Sequence, residues 1–216
     1  MSAPTTAPAL AWYHYPRQYE QLLSEVSEHR MEVLHEDGLY RHLRFARPGT
    51  RIWSFDLVTW PGYLSITGDI GDGYSFCRVP DMLTFFDHGQ ADGWINASYW
   101  AEKVTRGGAR SVQGYSEDAF RRHVERLTSG VAEDMPEAAA ARLRKRVDDE
   151  ILTCAWNEYE ALAALNGFTF GPDGDRLDEE MDEAGWRDFD HHFLIALHAI
   201  LWGAKRYHAT RAEVAA

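Results

Sequence analysis

The chain has little that would staple it or anchor it. Two cysteines among 216 residues, Cys77 and Cys154, supply no disulfide framework. Neither sits in a redox pair or a metal knuckle, so both read as small core residues. Long apolar runs are missing too: stretches such as Phe193 to Leu197 fall far short of the roughly 20 residues that a membrane span requires. Met1 to Ala9 is Ala, Pro, Ser and Thr with neither a basic start nor an apolar block, which predicts a loose tail, no secretion signal and a cytoplasmic setting. Positive charge is also short. Lys and Arg number 22 against 34 Asp and Glu, a net charge of −12 that argues against nucleic acid as a partner. Nine of those carboxylates fall between Gly171 and Asp190, where only Arg176 and Arg187 oppose them, and a solvated loop with a helix start accounts for the run.

The familiar catalytic and metal patterns are absent as well. Ten histidines include no His-Glu-x-x-His and no His-x-His, and Cys-x-x-Cys does not occur. His191 and His198 would stand about 10.5 Å apart along a helix, too far for one ion. Asp188 and His192, at i and i+4, are the sole weak metal candidates, and a surface Asp-His pair explains them better. "DGDRLDEE" has the composition of a calcium loop but places Asp178 where glycine belongs and Ala184 where glutamate belongs. "GDIGDG" lacks phosphate-loop spacing and a following lysine, and Asp69 and Asp72 would repel phosphate. No cofactor is implied. "RLRKR", Arg142 to Arg146, precedes Asp148, Asp149 and Glu150, so intrahelical ion pairs account for it.

What is present is enough to build a core. Hydrophobic residues make 45% of the chain and aromatics 13%, with eight tryptophans, so burial can offset the entropy of ordering. Helical spacing of Tyr19, Leu22, Leu23, Val26, Val33 and Leu34, with Gly38 as cap, predicts a first helix over about 17–37. Strands follow. Tyr40 to Phe45 is a candidate, Ile52 to Thr59 alternates with Trp53, Phe55 and Leu57 on one side, and Trp60-Pro61-Gly62-Tyr63 predicts a type II reversal. Leu64 and Ile66, then Tyr74 and Phe76, continue the alternation across the Gly68–Gly73 loop. Pro80 opens a short helix, Asn96 caps "ASYWAEKV", and Ser116 caps a helix with Phe120, Val124, Leu127 and Val131 on its stripe. Pro136 to about Asn166 reads as a long helix that a compact domain would have to break or extend beyond. A last helix covers about 188–208. The fold class expected is α+β: an N-terminal helix, an antiparallel meander of three to four strands over about 40–78, and a helical C-terminal half packed on the sheet. Tails over 1–11 and 209–216 flank a single domain spanning 12–208.

"TWPGYLSITGDIGDGYSFCRVPDMLTFF", "INASYWAEKV", "SEDAFRRHVERL" and "HHFLIALHAILWGAKRYH", in this order, resemble a family of small uncharacterised proteins of tailed bacteriophages and prophages. The resemblance spans about residues 40–208. It departs at Ile70, where the family carries methionine, and at Ala97, where it carries proline. It implies a phage or prophage setting in the host cytoplasm, and no reaction.

Two functions remain. The first is a non-enzymatic accessory protein that binds a host or defence protein, with Trp60, Trp94, Trp100 and Trp202 as interaction candidates, since exposed tryptophan is costly unless it binds something. The alternative is a small enzyme or sensor for a nucleotide-like metabolite, with Asp56, Asp69 and Arg78 gathered on the polar face of the meander. The long and last helices also carry apolar surface sufficient for a homo-oligomer.

Overall fold

The computed structural model describes residues 15–71, 73–89, 91–177 and 183–215. The tail expected over 1–11, Asp72 and most of the acidic run after Leu177 lie outside them. The chain divides into two compact units, one made of residues 1–112 with 189–216 and the other of 113–188. Among the described residues no helix is long and apolar enough to cross a membrane.

The first unit is α+β. Helix α1 (Pro16–Val26) leads into a five-stranded antiparallel meander in sequence order: β1 (Arg30–Asp37), β2 (Tyr40–Ala46), β3 (Phe55–Trp60), β4 (Tyr63–Gly68) and β5 (Tyr74–Cys77). Short helices α2 (Met82–Phe86) and α3 (Ala97–Ala101) follow, and α7 (His191–Ala215) completes the unit. The expected helix to Asp37 stops at Val26, because β1 pairs along β2 from Arg30↔Ala46 to Asp37↔Tyr40. A bulge between Val33 and His35 sets apolar Leu34 beside Val33 and mimics a helical face; both side chains are exposed. The Pro61-Gly62 turn forms as expected, pairing Trp60 with Tyr63 and giving Gly62 a φ of 88°.

Alternation gives the sheet one apolar side. Leu43, Phe45, Phe55, Leu57, Leu64, Ile66 and Phe76 are buried on it. Across them runs α7, with Phe193 edge-on to Tyr74 of β5, Trp202 against Phe45 and Phe55, and the Tyr207 hydroxyl donating to Glu36 of β1. The 14 residue steps from Phe193 to Tyr207 rise about 21 Å, close to the roughly 19 Å spanned by five strands about 4.8 Å apart. Gly203 marks a close approach of the helix to the sheet. A Cβ there would lie 2.9 Å from Leu57 Cδ1 and 3.0 Å from Phe45 Cζ. The last helix also runs on to Ala215, past the position where a tail was expected to begin.

The second unit is mainly helical. It contains β6 (Gln113–Tyr115), α4 (Glu117–Glu133), α5 (Glu137–Glu150), α6 (Glu158–Gly167) and most of β7 (Arg187–Phe189), which pairs with β6. Ser116 caps α4 through its hydroxyl, which accepts from Ala119 N. The long helix expected after Pro136 is broken between Glu150 and Glu158. A 3₁₀ turn fills the gap, and Asn157 starts α6 by accepting from Glu160 N. Phe120, Val124, Leu143, Val147, Ile151, Leu165 and Trp186 form this unit's own core. The half-buried Tyr115 hydroxyl, pushed up to about 12 chiefly by desolvation, donates to Ala155 O at 2.6 Å.

Replacing Gly203 by valine overpacks the helix–sheet contact. The expected loss is about 1–3 kcal/mol, read as a lower urea midpoint at unchanged slope.

Candidate functional site

The polar residues proposed from the meander stand apart. Asp56, on the outer face of β3, accepts from Arg44 Nε at 2.9 Å, Arg44 Nη2 at 2.8 Å and His42 Nε2 at 2.8 Å. Burial pushes its carboxyl up, but the hydrogen bonds from Arg44 and His42 outweigh that and hold it below the usual carboxylate range. With Thr67, its partner in register, it lines a shallow cleft of about 430 Å³. Asp69 sits beyond the far end of β4, where its Oδ2 accepts from Trp53 N at 2.9 Å and its own N–H donates to Ser54 O at 2.8 Å. Arg78 is exposed at the other end, its N–H donating to Gly62 O. A six-residue strand, roughly 20 Å, separates the last two. The three do not form one site.

Asp69 instead holds a backbone turn. Trp53 has a φ of 57°, outside the ordinary range for a bulky residue, and is clamped from both sides: Asp69 takes its N–H and His29 Nε2 donates to its carbonyl at 3.1 Å. Gly68 completes the corner. Its φ is 139°, and a Cβ there would lie 2.3 Å from Ser54 O. His29 is 7% exposed and its Nδ1 is buried without a hydrogen-bond partner. Donation from Nε2 fixes the neutral tautomer with a bare Nδ1. Burial holds the His29 pKa below the usual histidine range, against the opposing hydrogen bond to Trp53.

The weak metal pair does not assemble as a helical i, i+4 pair. Asp188 lies in β7, whereas α7 begins at His191 and Asp190 caps it by accepting from His192 N and Phe193 N. Among the described residues no group of three or more His, Cys, Asp or Glu is placed to hold a metal ion. Both cysteines are half-buried instead of lying in the core.

The four tryptophans take three different places. Trp60 stacks on Tyr63 at the β3–β4 turn, 5.1 Å apart and 11° from parallel. Trp202 carries Arg206 over its ring at 3.9 Å and borders a cleft of about 490 Å³ in which Lys205 pairs with Asp92 at 2.7 Å. Trp94 and Trp100 share the most apolar of these sites. It is a cleft of about 580 Å³ lined by them together with Phe85, Tyr99, Asp81 and Asn96, and reached also by His88 and Thr84. Trp100 is 2% exposed and forms the floor, while Tyr99 is 37% exposed and forms the rim.

Two short helices present that cleft. Asp81 caps α2 by accepting from Leu83 N at 3.1 Å, and Asn96 caps α3 by accepting from Tyr99 N at 3.2 Å. These caps aim Phe85 and Tyr99 toward each other. Apolar walls with a few placed polar groups are the usual make-up of a binding site. Phe85, Tyr99 and Asp81 were not among the residues singled out from sequence, and Asn96 was read there only as a helix cap. The signal was the pair of capping residues flanking aromatic-rich short helices, "PDMLTFF" and "NASYW".

Two outcomes test the Trp53 corner. Asp69→Ala, which removes the acceptor of Trp53 N–H, is expected to cost about 1–3 kcal/mol in urea unfolding. For His29 the folded pKa lies below the unfolded one, so its contribution is complete above about pH 6.5 and is lost as pH falls from there through the folded value. Stability measured from pH 8 down to 5 should decline in the parent chain, and His29→Gln, which keeps a donor and cannot be protonated, should lack that part of the decline. No family model, curated protein or solved structure matches this chain.

Proposed function

We propose that the chain acts by binding another protein and not by catalysis, that the aromatic cleft between α2 and α3 is its contact surface, and that in a phage or prophage setting the partner is a host or defence protein. The observation that carries the reading is the cleft itself. Trp94, Trp100, Phe85 and Tyr99 grade from a buried floor to an exposed rim, the arrangement in which aromatic anchors dominate binding energy. The competing enzymatic reading needs Asp56, Asp69 and Arg78 at one place, whereas Asp56 is paired with Arg44, Asp69 holds the Trp53 turn, and Arg78 is exposed at the far end of the sheet.

The test is affinity capture with the tagged full chain from lysates of relevant hosts, run beside Tyr99→Ala and Trp94→Ala. Capture of one stoichiometric protein is expected. Either substitution should weaken it by roughly 2 kcal/mol, about 30-fold in Kd, whereas Trp60→Ala, on the opposite face of the sheet, should leave it unchanged. Repeated capture of nothing, or capture indifferent to Tyr99 and Trp94, would sink the reading.

A further inference from the structure

The walls of the aromatic cleft meet at angles. Trp94 stands edge-on to Trp100, 6.5 Å between centroids and 87° between planes, and Phe85 is tilted 45° from Tyr99 at 5.9 Å. Phe86 backs Trp100 edge-on at 4.9 Å. A flat heterocycle held between two rings needs them parallel and roughly 7 Å apart, twice the van der Waals contact distance. Neither pair of lining rings offers that slot. Rings set at angles enclose a compact group, and their faces carry the negative end of the ring quadrupole.

Charge at the cleft points the same way. Asp81 lines it with a side chain 29% exposed, while its partner Arg41 lies behind at 9% and is not part of the lining. The ion pair therefore turns its negative end toward the opening. The chain as a whole carries −12, which favours approach by basic partners. The same unit already places cations on aromatic faces: Lys103 Nζ lies 4.0 Å from the Tyr99 ring centroid, and Arg206 covers Trp202. Lys103 is not among the lining residues of the cleft.

Resting on the protein-binding reading above, we infer that the cleft receives a lysine side chain of the partner, its ammonium enclosed by Phe85, Trp94 and Tyr99 and drawn toward Asp81. Lysine suits these angled walls better than arginine does. A guanidinium is a plane that stacks on parallel faces, whereas an ammonium is a compact charge on a flexible apolar stem, and that stem can lie along Phe85 and Trp100.

The probes are N-acetyl-lysine methylamide, its Nζ-trimethyl form, the uncharged isostere with a tert-butyl group in place of trimethylammonium, and choline. Each is titrated into the full chain at millimolar concentration and followed by NMR shifts of the Trp94 indole N–H. Both lysine compounds should shift it saturably, and the isostere should bind about tenfold more weakly. Tyr99→Leu, which keeps an apolar rim, should weaken the cationic probes by about tenfold. Asp81→Asn leaves Arg41 buried and uncompensated, so Tyr99→Leu decides the matter if that variant fails to fold. Equal binding of the isostere would overturn the lysine assignment while leaving the cleft as a contact surface. Tighter binding of choline than of either lysine compound would overturn the assignment to a partner's side chain. No shift with any probe would overturn the lysine inference outright, and capture sensitive to Tyr99 would still uphold the protein-binding reading by itself.

Discussion

The ion pair between Arg41 and Asp81 ties the sheet to the helices that cover it. Arg41 projects from the apolar face of β2, and its two Nη atoms each donate to one oxygen of Asp81 at 3.0 Å. Above the guanidinium lies the Tyr207 ring of α7, 5.3 Å away, and the Tyr207 hydroxyl donates to Glu36, which stands opposite Arg41 in the β1–β2 register. Asp81 in turn starts α2. One charged contact thus joins β1, β2, α2 and α7. Burial pushes the Asp81 carboxyl up, but Arg41 outweighs that and keeps it ionised below the usual range. Arg41 Nε is buried without a hydrogen-bond partner, so the pair is not fully compensated. Its worth lies in position: a buried charge left alone costs about 3–5 kcal/mol, so each partner enforces the other's placement.

The meander was legible where turn chemistry and alternation agreed. Trp60-Pro61-Gly62-Tyr63 closes the hairpin expected of it, and Phe55, Leu57, Leu64, Ile66 and Phe76, the alternate apolar positions of the expected strands, all face the core. The caps at Asn96 and Ser116 were legible for the same reason, since a short polar side chain before an apolar stripe satisfies local donors. Two readings failed where local periodicity is ambiguous. In β1 a bulge puts Val33 and Leu34 side by side, and adjacent apolar residues on an exposed edge look like one helix face. After Glu150 the apolar seam runs on through Ile151 and Leu152, and the sign of a separate helix is Asn157 with Glu160, an N-terminal capping signal that the longer periodicity masked. Division into two compact units was not legible at all, because the chain leaves the first unit at Val112 and returns at Phe189 through two short strands that pair with each other, β6 and β7.

For the candidate site, residue type was readable and juxtaposition was not. Asp56 lies within an expected strand and Asp69 and Arg78 just beyond strand ends, but the last two sit toward opposite ends of β4, and alternation along a strand says nothing about which residues beyond its ends meet. Tryptophan content pointed toward Trp94 and Trp100, yet Trp100 serves as floor and the exposed work falls to Tyr99. Asp81 was passed over because its partner is 40 residues away. No local pattern announces such a pair.

One carboxylate therefore faces two ways. Toward the core, Asp81 answers the buried guanidinium of Arg41 and caps α2; toward solvent, it supplies the negative end of that pair to a cleft walled by aromatic rings. Separating the two roles is physically hard, because the charge that would draw a ligand is the charge that holds Arg41 under the sheet. The rim is different. Tyr99 caps no helix with its side chain and is exposed by more than a third, so affinity at the cleft can change through Tyr99 while the fold stays fixed through Asp81. The strained corner at Trp53 shows the same division in the opposite sense: Asp69 Oδ2 and His29 Nε2 are each engaged by a backbone group of Trp53, so the carboxylate and the ring donor that could have recognised a ligand are committed to holding the turn.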